Sequence, residues 1–176
     1  MLRSENKLEN YLGLVLVALG ILFRVLPHPD NFTPVMAIAL FSGVVLAPRI
    51  ALVVPLIVMM ASDLIIGPHA LYPLTWGSFF LVSLLGAAIR KDVKVGRIFL
   101  GTLGGSALFY LVTNLGVFVF QNMYEKSLSG LIQCYVMALP FFRNALLGDL
   151  FFSGLFFGVF AIVKSYSRKL APQNTP

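Results

Sequence analysis

Apolar runs of roughly 15 to 25 residues recur along the whole chain, close to the ~20 that a helix needs to cross a bilayer. Between them stand prolines, glycines and most of the charges. Such a pattern leaves too little polar surface for a water-soluble domain. Of the 176 residues 59% are hydrophobic and 11% charged, with a mean hydropathy of +0.90, whereas soluble domains carry about 25% charged residues. The expected fold is all-α: an integral membrane protein forming one membrane domain.

Six transmembrane helices are expected, at about Tyr11–Leu26, Thr33–Ala47, Arg49–Ile66, Thr75–Ile89, Gly96–Phe120 and Phe142–Lys164. The breakers fall between them: Pro27, Pro29 and Pro34, then Pro48, then Gly67, Pro68 and Pro73. The opening residues balance Arg3 and Lys7 against Glu5 and Glu9 before the apolar run from Tyr11 to Phe23, and this first run is expected to be retained rather than removed as a signal peptide. Leu128–Leu139 is apolar but too short to span, and is expected to form a short interfacial or re-entrant helix before the sixth span.

The basic residues set the expected orientation. With a cytoplasmic amino terminus, the inner segments hold Arg3, Lys7, Arg49, Arg90, Lys91, Lys94, Arg97, Lys164, Arg168 and Lys169, and the outer ones hold Arg24, Lys126 and Arg143. Ten against three satisfies the positive-inside rule and puts both termini in the cytoplasm. The net charge of +6 is accounted for by topology, so nucleic acid is not an expected partner. One cysteine, Cys134, makes no disulfide within the chain, and no CxxC or HExxH motif is present to hold a metal. No cofactor is expected. No GxxxxGK loop occurs either, so ATP-driven work would require a separate energising module.

Ionisable groups in hydrocarbon cost about 2.5 to 3.5 kcal/mol each even on insertion scales, so each needs a partner or a purpose. On the expected topology Arg24, Asp63, Asn114, Arg143, Asn144 and Asp149 all gather in the outer half of the bundle. A polar cup opening outward suits capture of a small solute better than a mid-membrane proton relay. Two readings of these groups stay open: ligand contact, or structural ion pairs between Asp63 or Asp149 and the arginines. His28 and His69 lie in proline-rich loops, and Trp76, Tyr72 and Tyr124 stand where headgroup-level aromatic belts stand. Small-xxx-small pairs at Gly101 and Gly105, Gly154 and Gly158, and Gly43 and Ala47 offer close helix packing or, if exposed, a docking face.

The stretch Arg24–Val35 (RVLPHPDNFTPV), with Ser62-Asp63-Leu64, Tyr72–Ser78, Thr113–Gly116 and Leu139–Asp149 (LPFFRNALLGD), resembles an uncharacterised family of small bacterial six-helix membrane proteins. That family is similar to the substrate-binding S components of energy-coupling factor transporters. The resemblance implies a bacterial inner-membrane protein that binds a vitamin or similar micronutrient under the loops after its first, third and fifth spans. It would deliver the ligand by toppling when coupled to an ATP-driven module. S components that share a module tend to carry AxxxA in their first helix; here Gly13, Ala18 and Gly20 stand at other spacings, which leaves a solitary importer open.

The expected function is therefore solute binding and uptake, with Arg24, Asn31, Asp63, His69, Trp76, Asn114, Arg143, Asn144 and Asp149 lining or bracing the site. The arginines would grip acidic groups or hold the acids in place, and Trp76 would stack on a flat ring. The partners are the bilayer and the solute. Two rivals remain: a membrane scaffold whose ion pairs are only structural, and an intramembrane enzyme built on Ser62, Asp63 and His69, although no nucleophile motif such as GxSxG is present.

Overall fold

The run Val35–Val45 (α2) is apolar on every side, and the rest of the chain is wrapped around it. The computed structural model describes residues 2–67 and 70–170. Around α2 stand α1 (Leu2–Val25), α3 (Pro48–Ile66), α4 (Tyr72–Ile89), α5 (Val95–Phe120) and α6 (Leu128–Leu170), with a 3-10 turn at Arg90–Asp92. No strand occurs among the described residues. Residues 35 to 44 are all buried, and α2 touches every other helix.

Four helical segments are long and apolar enough to cross a membrane: Pro48–Ile66, Tyr72–Asp92, Val95–Phe120 and Leu128–Tyr166. Their outward faces carry Leu64, Leu100, Phe120 and Ile162, all exposed. So broad an apolar surface is foreign to soluble monomers. The 11 residues of α2 rise only about 16 Å, half of a hydrocarbon core. The second apolar run thus forms a buried helix shorter than the expected Thr33–Ala47, starting only after Pro34 and ending at Val45.

A second correction concerns the end of the chain. Leu128–Leu139 is not a separate interfacial helix; it is the first part of α6, which runs 43 residues through Pro140. That is about 64 Å, twice the hydrocarbon thickness. Its opening turns pack along α5, where the Tyr135 hydroxyl donates to Leu111 O at 2.8 Å and the Tyr110 and Phe142 rings lie 4.6 Å apart. Pro140 has no N–H to give the preceding turn. That N–H would have gone to Val136 O; one residue earlier, Tyr135 O accepts from the Tyr110 hydroxyl at 2.6 Å, which ties this turn to α5.

Side chains meet several backbone carbonyls that lack a helical donor inside the bundle, where an unmet buried carbonyl costs about 1 to 3 kcal/mol. Pro55 lies inside α3 and leaves Ala51 O without its helical donor; the Ser42 hydroxyl of α2 stands 3.0 Å away. The last carbonyls of α2 are met by Arg90, whose guanidinium donates to Gly43 O at 3.1 and 2.7 Å and also to Leu46 O. At the exposed end of α5, Lys126 donates to Phe118 O and, at 2.8 Å, to Gln121 O.

Helix α2 approaches α4 so closely that side chains are excluded at the crossing. A Cβ on Gly43 would strike Ser83 O, and one on Gly86 would strike Leu40 O. Gly101 and Gly105 of α5 face Leu40 and Met36 of α2, and Gly13 and Gly20 of α1 face Ile50, Val54 and Val58 of α3. These small residues are spent on internal packing. Gly154 and Gly158 have nothing within 4 Å. Gly43→Ala or Gly86→Ala should therefore cost about 1 to 3 kcal/mol or more, whereas Gly158→Ala should stay within about 0.5 kcal/mol. Thermal melts in one detergent compare them, and equal melting temperatures would remove the case for a close α2–α4 contact.

Candidate functional site

Because α2 fills only half the height of the bundle, space remains beyond its first turn. A cavity of about 690 Å³ occupies that space, within the range usual for small-molecule sites. Its walls follow from helical periodicity. From α6 come Phe141, Ala145 and Asp149, spaced four apart; from α4, Thr75 and Phe79; from α1 and the following loop, Arg24, Val25, His28, Asp30, Asn31 and Thr33. Met36 of α2, Met59 and Ile66 of α3 and Phe109 of α5 complete the lining.

The loop is held over this space by two features. Asn31 adopts φ +62, a left-handed conformation that asparagine tolerates, within a turn closed by Phe32 N donating to Pro29 O at 2.9 Å. Phe32 then seats its ring against Phe152 at 5.6 Å and its backbone on Gly148, where a Cβ would come within 3.2 Å. His28 turns back on its own segment, with Nδ1 2.9 Å from Pro29 O.

Two carboxylates define the electrostatics, in different ways. Asp63 is paired on both oxygens: Arg24 donates to Oδ1 at 2.7 Å and the Trp76 indole to Oδ2 at 2.9 Å, with the Arg24 guanidinium also touching the Met59 sulfur. Asp149 is 5% exposed, accepts a hydrogen bond from the Ser106 hydroxyl at 2.8 Å, and lines the cavity. It also lies deeper. Val82 packs on Gly105, next to Ser106, and Trp76 stands six residues earlier on α4, about 9 Å along the axis.

Of the expected site residues, Arg24, Asn31 and Asp149 line the cavity, and Asp63 and Trp76 stand behind Arg24 as its brace. Trp76 packs on Tyr72, ring centres 5.3 Å apart, and does not reach the lining. Asn114 donates to Tyr110 O within its own helix at 2.8 Å, outside the lining. Arg143 is exposed and Asn144 half-buried, both off the lining; Arg143 is two residues from Phe141 and so points to the opposite side of α6. His69 lies outside the described residues. Ser62 donates to Val58 O of its own helix at 2.6 Å.

Sequence reasoning passed over Ser106, Thr75, Asp30 and Thr33, as well as the apolar walls. Ser106 carried a signal, a hydroxyl within the apolar fifth run three residues before Phe109. The methionines and phenylalanines carried none, because nothing distinguishes a cavity wall from core packing in a chain this apolar.

Residues 4–172 match DUF6580, a family of unknown function, and the chain belongs to that family. No curated protein and no solved structure matches it. The division of labour between the two acids is testable by mutation. Arg24→Met leaves Asp63 without its buried counter-charge and should cost about 3 to 5 kcal/mol, while the double variant Arg24→Met with Asp63→Leu should recover most of that loss. Unfolding in detergent reads the cycle; additive losses would show that the pair is uncoupled.

Proposed function

We propose that this member of the family captures a small solute in the cavity and takes part in its uptake across a bacterial inner membrane. The observation that carries the reading is the cavity itself, at the end of the bundle away from the basic segments. Arg49, Arg90, Lys91, Lys94, Arg97 and Lys164 belong to the far end. Of the three basic residues at the cavity end, Arg24 pairs with Asp63 and Lys126 caps α5, so two of the three are explained by local structure. Under the positive-inside rule both termini are cytoplasmic and the cavity opens outward.

This reading treats all six helices as the membrane domain, with α2 as an inserted half-helix, and draws on the resemblance to transporter S components in size and helix number. The chain has no nucleotide-binding loop, so active uptake would draw on an ATP-driven partner. The α5–α6 connection contributes no described residue to the lining; the α1–α2 loop covers the site instead. A second reading, a membrane scaffold, draws on the Arg24–Asp63–Trp76 cluster, which is satisfied without a ligand.

Native mass spectrometry of protein extracted gently from its own membranes separates the two. A solute binder should retain a stoichiometric non-lipid molecule, and Asp149→Ala should lose it while the circular dichroism spectrum is kept. A bare chain bound to a constant protein partner would favour the scaffold.

A further inference from the structure

The cavity's charge balance and its aromatic walls specify more than a generic solute. Arg24 is the cationic side chain among the described lining residues apart from the imidazole of His28, and its charge is met by Asp63 at 2.7 Å. That leaves Asp149 at the floor and Asp30 at the rim. The amino end of α2, reached through Met36, contributes about half a positive charge, which falls short of two carboxylates. The floor and rim therefore carry more acidic than unpaired basic groups among the described lining residues, and a cation is the ligand charge that would balance them.

Opposite this charge the polar groups are sparse. Asp149 has one hydrogen bond, from Ser106. Phe109 follows Ser106 by three residues on the same face of α5, and its ring stacks on Phe79 with centres 5.0 Å apart and 30° between planes. Phe141 stands two turns above Asp149, with only Ala145 between them on that face. A hard inorganic cation needs six or more oxygen ligands, and among the described residues no group of three or more metal-ligating side chains is found. Rings beside a buried carboxylate instead suit an organic cation, whose charge is attracted both by the acid and by ring faces within about 6 Å.

We infer that the cavity selects a compact organic cation, an ammonium or other positively charged nitrogen group attached to a flat apolar body, seated with its charge at Asp149 near Phe109 and its flat body extending past Phe79 toward Phe141. This inference rests on the solute-binding reading above and narrows it to one charge class. Arg24 is then a wall element held by Asp63 rather than a grip for an acidic ligand. Ala145 leaves room for the ligand between Phe141 and Asp149.

Calorimetry of the full chain in nanodiscs tests this with three probes of one shape: benzyltrimethylammonium, benzyl alcohol and phenylacetate, each blanked against empty nanodiscs. The expected result is saturable binding of the cation at least tenfold tighter than either of the others. Asp149→Asn should weaken the cation at least tenfold and abolish its tenfold advantage over benzyl alcohol. If that variant fails to fold, the ranking of the three probes on the natural chain decides alone. Phenylacetate or benzyl alcohol binding as tightly as the cation, or a cation affinity that survives Asp149→Asn, overturns the charge assignment and leaves solute binding in place. If no probe binds saturably the inference falls, and if the natively purified protein is also bare, the solute-binding reading falls with it.

Discussion

A helix that ends inside an apolar bundle must have its terminal carbonyls met there, and the arrangement of this protein follows from how α2 solves that problem. Its carboxyl end is met by Arg90, which reaches back from the turn after α4 to the carbonyls of Gly43 and Leu46. A lysine would bring a single point charge; the planar guanidinium reaches both carbonyls at once. The contact also fixes where α4 ends relative to α2. Gly43 and Gly86 bring the two backbones together one turn away, so the hydrogen bonds and the close packing support the same placement.

The cavity is the other consequence of a short α2. A helix of full height would fill the bundle from end to end. With half the height occupied, the five surrounding helices enclose an unfilled space, and the loop from Leu26 to Pro34 closes over part of it. The polar groups facing that space differ in kind. Arg24, Asp63 and Trp76 satisfy one another and brace α1 against α3 and α4. Asp149 is held by Ser106 and turned toward the open volume, which is why the binding proposal rests on it rather than on the ion pair.

Much of this was readable from residue order. Prolines and glycines marked the boundaries near Pro34, Pro48 and Gly67, and the rarity of charge made Arg24, Asp63 and Asp149 stand out before any geometry was known. Where reading failed, the cause was a tertiary partner. Leu128–Leu139 looked like a separate short helix, but α6 continues through Pro140, with the Tyr110 hydroxyl on Tyr135 O tying that stretch to α5. Thr33–Ala47 looked like a full span because α2 is as apolar as one, but its helix begins after Pro34 and ends at Val45. Arg143 was grouped with Asp149 by proximity along the chain, yet helical periodicity sends it to the other side. Ser42 and Arg90 found their roles only opposite Pro55 and the end of α2, groups distant in sequence.

The central claim is that the space above α2 is a ligand site and not a packing defect. A crystal structure of the protein purified from its own membranes without added ligand tests it most directly. The expected result is density for a compact non-lipid molecule beside Asp149, bordered by Phe79 and Phe109. A lipid tail in that volume, or a cavity closed by collapse of α6 onto α4, would contradict it.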